Sequence, residues 1–229
     1  LLKYILCIIS GIMLAIAFTY PKLWFLCMFG ISPLFFVILK YDFGFRKMIK
    51  CIFAFSLGYY VPLLLWILNI NVLLPFSETT SKIILFIGTI LIALLQGIYI
   101  SLATIFFCKV KRNNYSDVFV FPLLFCFGEW LIEYTPILAF PWGKIGVIAT
   151  PYTPFIQSAS IFGGMFISFL ILIINGTIAF IVINFKNKKK AISAIIISSV
   201  IFITNVIFGT IRIKSEVKRK QFKALIVQG

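Results

Sequence analysis

Two carboxylates and a rigid turn hold most of the chemical potential of this chain. Glu129 and Glu133 lie in the run Gly128-Glu129-Trp130-Leu131-Ile132-Glu133-Tyr134. Four residues apart, they share one face of a helix. A carboxylate inside an apolar run is costly to bury, which marks it as a functional-site candidate. Glu133 stands near the end of its run, where its carboxylate reaches water. Glu129 is a turn deeper; it serves either a site or simply packing, protonated or bonded to its neighbours. Shortly after comes Phe140-Pro141-Trp142-Gly143-Lys144-Ile145-Gly146. Proline removes a donor and glycine relaxes the backbone, so this stretch is expected to be an irregular, partly buried loop. Pro136, Pro151 and Pro154 flank it.

The rest of the chemical inventory is thin. The chain has no His, so the commonest general base and metal ligand is missing. Cys7, Cys27, Cys51, Cys108 and Cys126 form no CxxC pair, and they read as small buried hydrophobes, not as a metal site or disulfide framework. Cys126 and Glu129 stand three apart, a weak candidate for an activated thiol. No phosphate loop is present. These residues imply no metal, no cofactor and no catalytic group.

The elements that position Glu129 and the loop are membrane helices. The 229 residues are 62% hydrophobic and 12% charged, about half the charge of a soluble domain. Charges fall in short clusters between apolar runs of about 17–26 residues, long enough to cross a hydrocarbon core of about 30 Å. Seven spans are expected, near Leu2–Phe18, Leu23–Leu39, Cys51–Leu73, Ile83–Cys108, Val118–Tyr134, Ser158–Asn184 and Ala191–Ile211. The first also fits a signal peptide ending at Ala15-Ile16-Ala17. Residues 1–211 form a transmembrane helical domain, and residues 212–229 a tail.

The net charge of +15 would suggest nucleic acid on a soluble domain. Here the basic residues sit between spans, and topology and anionic headgroups account for them. One set of connections holds Lys3, then Lys40, Arg46, Lys47 and Lys50, then Lys109, Lys111 and Arg112, then Lys186 and Lys188–Lys190. The opposite set holds only Lys22, Lys82 and Lys144. The positive-inside rule places the N-terminus and the basic loops in the cytoplasm and the tail outside. The tail's Arg212, Lys214, Lys218, Arg219, Lys220 and Lys223 fit that side only if they open a folded external domain. Trp24 and Trp66 read as interfacial aromatics. Gly163-Gly164 reads as a helix-packing contact. Asn175-Gly176-Thr177 matches a glycosylation pattern but falls inside a span.

Taken in order, Pro122, Glu129, Phe140-Pro141-Trp142, Ile145-Gly146, Pro154, Gly163-Gly164, Phe169 and Asn175-Gly176 resemble the bacterial apolipoprotein N-acyltransferases. Leu14-Ala15-Ile16-Ala17-Phe18 with Trp24 is similar to the family's first hairpin. Ala224-Leu225-Ile226-Val227-Gln228-Gly229 is similar to the first strand of its nitrilase-like domain. The pattern departs at Ala139, where the family usually has Gly, and at Ile132, where it often has Arg. The resemblance implies an all-α membrane bundle in the bacterial cytoplasmic (inner) membrane, followed by an external α/β nitrilase-like domain. It implies ping-pong transfer of an acyl chain from a phospholipid to the N-terminal amine of a diacylglyceryl-cysteine lipoprotein. The family's Glu-Lys-Cys triad lies beyond Gly229, so no residue of this chain is expected to be catalytic. Glu129, Phe140, Pro141, Trp142 and Gly146 are the expected lipid-binding residues, with Glu129 anchoring the loop. The alternatives are a non-catalytic membrane module or gene remnant, and a small-solute transporter.

Overall fold

A computed structural model describes residues 1–42, 44–135 and 140–215. Among them every element is helical: α1 (Leu2–Thr19), α2 (Ser32–Lys40), α3 (Phe45–Leu63), α4 (Glu78–Val110), α5 (Asp117–Tyr134), α6 (Thr153–Ile156), α7 (Ala159–Phe162), α8 (Gly164–Ile183) and α9 (Lys188–Lys214). Short 3₁₀ segments at Pro21–Met28, Leu65–Leu73 and Ile145–Ala149 link them. Helices are the expected answer for apolar runs in lipid, because each satisfies its own backbone groups. Ser77 starts α4 by accepting the Thr80 N–H at 3.3 Å, and Asn187 starts α9 by accepting that of Lys190 at 3.2 Å.

Five stretches are long and apolar enough to cross a membrane: Leu2–Thr19, Pro21–Lys40, Glu78–Val110, Gly164–Ile183 and Lys188–Lys214. The outer faces of these helices are apolar, as the exposed Ile195, Ile196, Val200, Ile203 and Ile207 of α9 illustrate. The other two expected spans are helical as well, but α3 carries Arg46, Lys47 and Lys50, and α5 carries Asp117, Glu129 and Glu133. At 33 residues, α4 is about 50 Å long, well beyond the thickness of a hydrocarbon core.

Three expected spans are not continuous α-helices. The run Leu23–Leu39 breaks between the 3₁₀ segment and α2, around Gly30 and ahead of Pro33. The run Cys51–Leu73 leaves α geometry after Leu63, one residue past Pro62. The run Ser158–Asn184 breaks at Gly163, whose φ is +80°. A Cβ added to Gly163 or Gly164 would meet no described residue within 4 Å. Gly163 therefore turns the chain, and the close approach here comes from Gly146, which faces the Gly164 carbonyl.

The helices pack in the order α1 on α3, α3 on α4, α4 on α5 and α5 on α8, with α2 and α9 against α8. The backbones of α1 and α3 cross closely, each helix offering a glycine to the other. A Cβ at Gly11 would lie 2.4 Å from the Phe55 carbonyl, and one at Gly58 would lie 2.4 Å from that of Ile8. Backbones approach this closely only where side chains are absent. Interlocked phenylalanines fill the centre, with Phe35 on Phe121 at 4.8 Å and Phe107 on Phe121 at 5.0 Å between ring centroids.

Polar side chains repair the breaks. Asn175 of α8 is fully buried. It accepts the Ile31 N–H and the Ser32 hydroxyl, both at 3.0 Å, and donates to the Cys27 and Ile171 carbonyls at 2.7 and 2.8 Å. Such pairing is what a broken helix in lipid requires. At the opposite end of α2, Lys111 donates to the Ile38 and Tyr41 carbonyls at 3.2 and 3.1 Å, capping that helix. Burial holds the Lys111 ammonium below its ordinary range, with Asp42 and Asp117 opposing the shift.

Candidate functional site

The loop at 140–146 is held by four helices. Its buried amides and carbonyls need partners, since an unpaired buried backbone group is costly. The Phe140 carbonyl accepts the Gln96 side-chain amide of α4 at 2.8 Å and also the Trp142 N–H at 2.8 Å. The second bond closes a three-residue turn about Pro141. Tyr59 of α3 donates its hydroxyl to the Gly143 carbonyl at 2.8 Å. Glu129 of α5 accepts the Ile145 N–H at 3.0 Å, and Ser168 of α8 accepts that of Gly146 at 2.8 Å. Gly143 has φ +84°, and a Cβ there would sit 2.5 Å from Leu63 Cδ2, so both conformation and space call for glycine.

The four anchors share a height in the bundle. Each lies about 12–15 residues, roughly 20 Å at 1.5 Å per residue, from the end of its helix nearest the basic connections. The loop thus packs about one turn inside the near ends of α3, α5 and α8 and against the middle of the longer α4. All four are buried, Glu129 at 3% and Gln96 at 0% exposure. Glu129 Oε2 and Gln96 Oε1 have no hydrogen-bond partner among the described residues. Toward the surface, Lys144 pairs with the partly buried Glu133.

The loop presents aromatic surface outward. Trp142 is 45% exposed, and its ring lies 5.4 Å from that of Trp66 and 6.5 Å from Phe140. Next to the anchors, an apolar groove of about 670 Å³ runs between α5 and α8, lined by Leu123, Cys126, Trp130, Met165 and Phe169 among others. Its one thiol, Cys126, points at the Met165 carbonyl, 3.8 Å away. The geometry can hold a shape against lipid and offer flat aromatic faces to it. It sets no nucleophile beside a base among the described residues.

The family model of the apolipoprotein N-acyltransferase N-terminal domain matches residues 10–177. The chain belongs to this family. The match takes in the loop and all four of its anchors. An apolipoprotein N-acyltransferase of Geobacter metallireducens (strain ATCC 53774 / DSM 7210 / GS-15) is 24% identical over 229 residues. The aligned region is 99% of this chain and 43% of that relative, so the chain spans less than half of the relative's length. The chain is a multi-pass membrane protein of an N-acyltransferase family.

The structure brings the expected site residues together, with Glu129 tying the loop at Ile145, Gly146 beside it, and Phe140, Pro141 and Trp142 forming the turn. Gly146 is packed tightly, since a Cβ there would lie 2.8 Å from the Gly164 carbonyl. Three partners were not anticipated: Tyr59, Gln96 and Ser168. Gln96 alone carried a signal, as an uncharged polar side chain deep in an apolar run, which needs a partner. Trp66 is more than an interfacial aromatic, because it packs on Trp142. Residues 224–229, expected as a first strand, lie outside the described residues.

Proposed function

We propose that this chain is the membrane part of an apolipoprotein N-acyltransferase, which moves an acyl chain from a phospholipid to the N-terminal amine of a diacylglyceryl-cysteine lipoprotein. The match across residues 10–177 carries this reading, because it spans both the loop and its anchors. Seven spans in the bacterial inner membrane, with the N-terminus cytoplasmic, would put the loop on the external side. The acylated residue belongs to a nitrilase-like domain beyond Gly229, and this chain supplies the lipid-facing floor beneath it. Trp142, with Phe140 and Pro141, contacts acyl or headgroup atoms of the donor. Glu129 and Gly146 keep the loop in place. The rigid turn suits this role, since donor groups held in a fixed pose react faster than mobile ones.

The test is Trp142→Ala in the complete protein. Formation of the acyl-enzyme from phospholipid should slow by about tenfold or more, while membrane insertion is unchanged. An unaltered acylation rate would overturn the assignment of this loop.

A further inference from the structure

We infer that Gln96, from the middle of α4, is the positioning residue that sets the pose of Trp142; this rests on the proposed role of the loop. Three torsions lead from the Phe140 peptide to the tryptophan. The Phe140 carbonyl direction is fixed by the Gln96 amide at 2.8 Å. The ring of Pro141 fixes the next φ. The Trp142 N–H, bonded to the same carbonyl at 2.8 Å, fixes the ψ that follows. On the far side, Tyr59 holds the Gly143 carbonyl at 2.8 Å. Trp142 is therefore clamped at the backbone on both sides, although its ring is 45% exposed.

The orphaned half of the amide supports this reading. Gln96 is fully buried, and its Oε1 has no partner among the described residues. An apolar side chain of the same length would fill the space without an unpaired acceptor. Gln96 thus spends its amide on the Phe140 carbonyl at a buried position where an apolar side chain is the ordinary choice. For the same reason, replacing it with Met should leave the fold intact.

The experiment uses the complete protein with two separate readouts. One is acyl-enzyme formation from vesicles of labelled phosphatidylethanolamine and phosphatidylglycerol. The other is transfer from pre-acylated enzyme to a diacylglyceryl peptide. Gln96→Met should slow the first step by roughly tenfold, the range for one buried hydrogen bond, mainly through KM for the donor, and leave the second unchanged. Gln96→Glu, which in its neutral form can still donate, should recover part of the loss. The double variant with Trp142→Ala should be no slower than Trp142→Ala alone, the non-additivity of residues acting through one another. Melting temperatures in detergent, with Gln96→Leu as a second apolar replacement, separate misfolding from mispositioning. The inference is overturned if Trp142→Ala slows acylation and both apolar variants do not. Losses that multiply in the double variant, or both half-reactions falling together, also overturn it. A silent Trp142→Ala would remove the proposed loop function itself and this inference with it.

Discussion

Glu129 offers the sharpest test of whether the loop uses a charge or merely an acceptor. The carboxylate is 3% exposed and takes one hydrogen bond, from the Ile145 N–H at 3.0 Å. Ala at this position leaves that buried amide unpaired, which costs about 1–3 kcal/mol. The space vacated by the side chain adds to this, for a total of about 2–4 kcal/mol. Glu129→Gln keeps an acceptor at the same reach and puts an amide where Oε2 has no partner among the described residues. Its cost should stay within about 1 kcal/mol. Unfolding in mixed micelles with increasing denaturant measures both values, and acyl-enzyme formation by the complete protein follows in parallel. A loop shifted by an ångström can lose about a hundredfold in rate, so Ala should impair both stability and acylation, and Gln neither. If Gln proves as damaging as Ala, the negative charge matters and the acceptor argument is wrong. If Ala is silent in both assays, Glu129 does not anchor the loop at all.

Two further outcomes follow from the packing. Gly11→Ala would place a Cβ 2.4 Å from the Phe55 carbonyl and 2.5 Å from the Tyr59 amide, forcing α1 and α3 apart at a cost of about 1–3 kcal/mol. Gly88→Ala, with no described residue within 4 Å, should be neutral or stabilise by up to about 1 kcal/mol; equal melting temperatures for the two variants would contradict the close crossing. Asn175→Ala removes a buried side chain with four hydrogen bonds and should cost about 3–5 kcal/mol, seen as loss of folded protein in detergent by size-exclusion chromatography.

Elements set by composition were legible in the sequence, and those set by pairing were not. The long apolar runs of α4, α8 and α9 announce themselves, because nothing but a helix suits twenty such residues in lipid. The breaks near Gly30, Pro62 and Gly163 leave no mark in composition, since a run can stay apolar while its backbone turns. Glu129 stood out because a carboxylate is expensive there. Ser168 and Tyr59 did not, as hydroxyls are common in spans and their roles depend on which carbonyl or amide lies opposite. The reach of Asn175 is not legible either: it matches an unusable glycosylation signal, and three of its four partners lie 143–148 residues upstream. Trp66 shows the same limit, being ordinary by type and informative only beside Trp142.

The bonds made by Asn175 also impose an order on biosynthesis. Its partner Ser32 precedes it by 143 residues. At about 5–20 residues per second, the ribosome needs roughly 7–30 s to cover that distance. Through that interval the Cys27 carbonyl and the Ile31 amide have emerged without the side chain that completes them, in a solvent that cannot substitute for it. The first hairpin must therefore wait, sheltered by the insertion machinery or close to water, until α8 arrives. Nascent chains stopped before Asn175 should remain extractable or open to proteases in a way that chains stopped after α8 do not.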